Sequence, residues 1–149
     1  MSISPDAQSI LRTIARLIDI DDLAFDDQGF CLLELADEIP VALKNDATHC
    51  RVHLVAELGR VEDPGVAFLQ TISEWNLQRL EQPCPWVAWD AENSRVAMGE
   101  EISYGEDDPM VERKFEAFME SLLTGRGFLS EIPNDSGAPG ELLDPTRFF

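Results

Sequence analysis

The chain has 149 residues, 44% hydrophobic and 27% charged, which is enough apolar content for one packed domain and too much for global disorder. Asp and Glu number 29 against 11 Lys and Arg, a net charge of −18. That balance argues against nucleic acid and anionic membranes as partners, because both recruit clustered Lys and Arg; it also keeps a protein with apolar surface soluble.

Cys31, Cys50 and Cys84 are widely spaced and odd in number, which disfavours a disulfide framework and suits a reducing cytoplasm. Each is expected as a small core residue. The opening MSISPDAQ lacks the features of a signal peptide, and no apolar run approaches the ~20 residues that span a bilayer.

Ser4-Pro5 reads as a helix start, with Ala7, Ile10, Leu11, Ile14, Leu17 and Ile18 following at helical spacing. Asp19 and Asp21 stand where a helix C-terminus disfavours negative charge, which predicts a stop near Ile18. Leu23-Ala24-Phe25 reads as a brief strand, Asp26-Asp27-Gln28-Gly29 as a turn, and Phe30–Leu35 as a strand covered on both faces. After a turn at Asp37-Glu38, Ile39–Leu43 is a strand, Pro40 placing it at an edge or standing among its first residues, and Lys44–Ala47 is a turn. Cys50–Leu58 alternates, with Val52, Leu54, Ala56 and Leu58 on one face, until Gly59 breaks the pattern.

Asp63-Pro64 begins a second helix reaching about Leu80, apolar nearly all round, which predicts burial on more than one side. Trp86–Trp89 and Arg95–Met98 form a hairpin, and Glu100–Asp108 an acidic loop. Asp108-Pro109 starts a third helix, with Gly125 as its C-cap. The domain is expected over residues 1–125, with a flexible tail over 126–149 whose Phe148-Phe149 could dock. The order α-β-β-β-α-β-β-α predicts an α+β fold with an antiparallel sheet.

No catalytic chemistry assembles. His49 and His53 share a strand face from which Cys50 points away, so three zinc ligands do not converge. An EF-hand counted from Asp19 puts Ala24 where glycine is required. Nucleophile elbows and phosphate-binding glycine loops are missing. A binding protein without cofactor or metal is expected, a small metal-dependent hydrolase using the two histidines being the weaker alternative.

The D-D-x-G turn into C-L-L-E-L, the strand ending E-L-G, the helix carrying W-N, the W-V-A-W-D hairpin and the final F-E-x-F-M-x-x-L-L helix together resemble the class I chaperones of bacterial type III secretion systems, the family of the Tir chaperone. The resemblance covers Ser4 to Leu123. It implies a cytosolic homodimer that hydrolyses no ATP, binds the N-terminal segment of a secreted effector in extended form, keeps it soluble and secretion-competent, and meets the secretion ATPase. On this resemblance Ile10, Leu11, Ile14, Leu17, Leu32, Leu33, Val41 and Leu43 line the effector groove, in a trough between the first helix and the Phe30–Leu35 strand. Phe68, Leu69, Ile72, Trp75, Trp86 and Trp89 build the dimer. A regulatory module of the same fold, sequestering a secretion regulator, is the alternative.

Overall fold

A computed structural model describes residues 5–35 and 39–130. Its elements are α1 (Pro5–Ile18), β1 (Phe30–Leu35), β2 (Ile39–Asp46), β3 (Arg51–Arg60), α2 (Val66–Leu77), β4 (Trp86–Asp90), β5 (Arg95–Ser103) and α3 (Asp108–Ser130). A 3-10 turn, Gln78–Leu80, extends α2. The strands form one antiparallel sheet in the order β1-β2-β3-β5-β4, so the fold is the expected α+β.

Register explains the two faces. Leu33, Val41, Ala56, Met98 and Val87 stand opposite one another across all five strands, each at most 7% exposed. The helices cover this side, and the core is continuous from α1 through the sheet to Phe115, Phe118 and Leu122 of α3. Each fully buried Leu, Ile or Phe contributes roughly 1.5–3 kcal/mol. The row one residue away, Leu32-Ala42-Val55-Gly99-Trp86, lies on the other face of the sheet, where Leu32 is exposed while Ala42 and Val55 are buried. There Trp86 lies over the Gly99 backbone, so closely that a Cβ on Gly99 would sit 2.1 Å from the ring.

Several boundaries differ from expectation. α1 does stop at Ile18, by chain geometry as well as charge: Asp19 turns left-handed (φ 56) and the Ile20 N–H reaches back to the Ala15 carbonyl. Leu23–Phe25 is not a strand. β1 is not covered on both faces, for Leu32 and Glu34 are exposed. β2 runs on to Asp46, through the expected turn, and β3 runs past Gly59 by a register shift between Glu57 and Gly59. α2 begins at Val66 after an extended Gly65, not at Asp63-Pro64.

β5 takes in the first part of the expected acidic loop. Asp107, one residue before the expected Asp108, caps α3 through its side chain to the Met110 N–H. Gly125 is no C-cap: α3 passes through it to Ser130, and a Cβ there would sit 3.1 Å from Leu58, so the glycine lets helix and sheet approach. Cys31 and Cys84 are buried and free, whereas Cys50 is exposed in the β2–β3 turn. The Ser4 cap, the Asp37-Glu38 turn and Phe148-Phe149 lie outside the described residues.

Candidate protein-binding site

Most residues assigned to an effector groove lie in the core. Ile10, Leu11, Ile14, Leu33, Val41 and Leu43 are at most 4% exposed, Leu17 is half-buried, and Leu32 alone is open, at 59%. Their periodicity identified them as apolar, and helix–sheet packing then consumed the whole stripe. A surface groove lies away from α1. It runs between β1 and the connection before it, lined by Asp22, Leu23, Asp26, Gln28, Phe30 and Leu32, with none of α1.

The turn beside this groove is built by Asp26, whose carboxylate accepts the Gln28 and Phe30 N–H groups at 2.9 Å while its own N–H donates to the Phe30 carbonyl. Gly29 closes it at φ 84. Lys44 donates to the Gln28 carbonyl and stands 4.3 Å over the Phe30 ring. The Asn45 N–H donates to Gly29. From that bond, antiparallel alternation turns the backbone of Cys31, Leu33 and Leu35 toward β2, and that of Phe30, Leu32 and Glu34 toward the sheet edge. Asp26 occupies Phe30, which among the described residues leaves the Leu32–Glu34 backbone presented at the edge of the sheet.

The opposite edge is covered at Pro85 and Val87. The Asn76 amide pairs with both backbone groups of Val87, donating to its carbonyl and accepting its N–H, each at 2.8 Å. Trp75 donates its indole N–H to Pro85 at 2.9 Å. α2 thus stands in for a sixth strand beside β4. Asn76 was seen in the sequence only as part of a W-N pair; nothing in periodicity marks a side chain as a strand mimic.

Of the residues assigned to a dimer interface, Phe68 is buried at 8% exposure, while Ile72, Trp75, Trp86 and Trp89 are half-buried within their own chain. The Trp89 indole donates to Val61 at 2.8 Å. Leu69 is exposed, and so are Val66, Leu77 and Leu80, which leaves one side of α2 and its 3-10 turn apolar and bare. Beneath α2, against the end of α3, lies an apolar cavity of about 150 Å³ lined by Leu58, Phe68, Ile72, Trp75, Met98 and Leu129.

The histidines serve a carboxylate. His49, in the turn rather than on the strand, and His53 both donate to Asp46 Oδ2, at 2.9 and 3.1 Å. Desolvation would raise the Asp46 pKa, but hydrogen bonds from His53 and His49 outweigh it and hold the carboxyl well below the usual range. Glu100 is different: burial on the helix-facing side raises its pKa, only partly offset by the Glu101 N–H and the cationic Arg79 and Lys114. Among the described residues no His, Cys, Asp and Glu side chains gather so as to hold a metal ion, and no helix is long and apolar enough to cross a membrane.

The family model of the Tir chaperone protein (CesT) family matches residues 9–129. No curated protein matches the chain. Among solved structures, the HopA1–SchA chaperone–effector complex contains a chain of 18% identity and TM-score 0.65, the alignment covering 85% of this chain and 99% of that one. The type III secretion chaperone SycH of Yersinia pestis, in complex with a fragment of YscM2, gives 13% identity and TM-score 0.63 over 79% and 98%. The ExoT–SpcS complex of Pseudomonas aeruginosa gives 16% identity and 0.62 over 82% and 98%. At these identities the likeness concerns the fold.

Proposed function

Since the chain belongs to the Tir chaperone protein (CesT) family, we propose that it is a cytoplasmic, homodimeric chaperone that binds the N-terminal segment of a type III secreted effector and keeps it soluble for export. The observation that carries this reading is the open edge of β1 at Leu32 and Glu34, which offers an extended segment a strand to pair with. The bare apolar side of α2, from Val66 to Leu80, supplies the dimer contact. The chain acts by binding alone, with no catalytic step, and hands the loaded complex to the secretion ATPase. Solved relatives that hold an effector on the same fold support the reading.

Co-expression tests it. The N-terminal region of a larger protein encoded beside this chain should become soluble and co-purify with a dimer of it. A strict monomer in light scattering that leaves every such neighbour insoluble refutes the proposal.

A further inference from the structure

Resting on that reading, we propose that the client segment docking at β1 is a basic strand, with Lys or Arg alternating with apolar residues along the one face it shares with Leu32 and Glu34. From Asp19 to Leu35 the chain carries Asp19, Asp21, Asp22, Asp26, Asp27 and Glu34, and no Lys, Arg or His. This stretch forms one wall of the groove and its floor. Asp22 and Asp26 line it beside Leu23, Phe30 and Leu32. Glu34 projects on the same strand face as Leu32, two residues along the open edge. Lys44 is a nearby cation, engaged at the turn with the Gln28 carbonyl and the Phe30 ring.

A strand pairing with Leu32 and Glu34 sends alternate side chains onto this face. One meets the exposed Leu32, and the next meets carboxylates. An acidic residue there pairs like with like, while Lys or Arg finds a partner and keeps its alkyl stem on the apolar floor. The acidic connection, which turn chemistry alone reads as a solvated bend, thereby selects among client sequences.

The probes are two synthetic peptides identical except at one position of the repeat, one repeating Leu-Thr-Lys-Thr and the other Leu-Thr-Glu-Thr, so that Leu and the charged residue fall on one strand face; each is added to the full chain with binding read by calorimetry. The Lys peptide should bind about tenfold or more tightly than the Glu peptide, equivalent to roughly 1.4 kcal/mol. Its advantage should fade between roughly 0.1 M and 1 M salt, where the Debye length falls from about 10 Å to about 3 Å.

Leu32→Asp separates the groove from bulk attraction to an acidic protein. It should weaken the Lys peptide although it adds negative charge, and Leu32 is exposed, so folding is spared. Tighter binding to Leu32→Asp, or equal affinity for the two peptides, overturns the inference. Asp22→Lys with Glu34→Lys should reverse the peptide preference; an unchanged preference also overturns it. A neighbour-encoded client captured equally by wild type and by this double variant sinks the basic-strand inference and leaves the chaperone reading standing, whereas failure of wild type to capture any client removes the chaperone reading itself.

Discussion

In α1, Ala7, Ile10, Leu11 and Ile14 are each at most 3% exposed, whereas α2 buries Phe68 and leaves Val66 at 73%, Leu69 at 41% and Leu77 at 62%. The difference lies in spacing. The apolar residues of α1 recur at i, i+3, i+4 and i+7, a stripe that one neighbouring surface can cover, and α1 packs on both α3 and β3. Those of α2 run all round the helix, while its sheet contact is with β4 at one end of the sheet. A helix so placed buries one stripe. α1 therefore completes the single-chain core, and α2 keeps apolar surface exposed.

The same contrast separates the sheet edges. At β4, α2 supplies Asn76 to the backbone of Val87 and seals it. At β1, a short connection occupies Phe30 through Asp26 and leaves Leu32 and Glu34 presented. Unsealed strand edges recruit other strands, and the proposed function puts a client at the β1 edge and a second copy at the α2 side.

The largest expected effect is on α1. Ile14→Ala, at a fully buried position, should lower unfolding stability by about 2–5 kcal/mol, measured by urea denaturation. A loss near zero would mean that α1 is peripheral and the contrast false. On α2, Leu77→Asp with Leu80→Asp should weaken self-association by about 2 kcal/mol or more, roughly 30-fold, in sedimentation equilibrium. The protomer's own stability should stay within about 0.5 kcal/mol per substitution. Phe68→Asp is the foil: Phe68 is buried, so that variant should unfold the chain rather than split a dimer.

Asn76→Ala should cost about 1–2 kcal/mol by thermal denaturation, from two lost hydrogen bonds, and increase aggregation through the β4 edge. The smallest effect is at Asp46. Its folded pKa is depressed, so the stability it contributes is present above the unfolded carboxyl pKa of about 3.9 and is lost as pH falls below it. Wild type should therefore lose stability more steeply than Asp46→Asn below about pH 4; parallel acid titrations would show that the histidine contacts contribute nothing.

Much of the architecture was legible in the sequence. The end of α1, the apolar core of β1, the meander and the β4–β5 hairpin follow from periodicity and turn residues, because those signals are local. Errors cluster where a contact distant in sequence decides. Gly125 looked like a helix terminus because nothing local requires a glycine mid-helix; Leu58 of β3 requires it. Likewise the assigned groove residues Ile10, Leu11, Ile14, Leu33, Val41 and Leu43 had the right chemistry for a binding surface and were taken by the core.

By itself, then, the sequence determined which residues are apolar, which elements they form, the acidic character of the Asp19–Leu35 stretch and the resemblance to secretion chaperones. Tertiary structure decided which apolar residues remain on the surface: one of the eight assigned to the groove, Leu32, is fully open, together with one side of α2. It also decided which sheet edge is closed. The physical reason is that exposure is a property of what packs against a residue, and what packs there comes from other elements: Val87 is covered by Asn76 of α2, and Leu33 stands opposite Val41 of β2 within the common core.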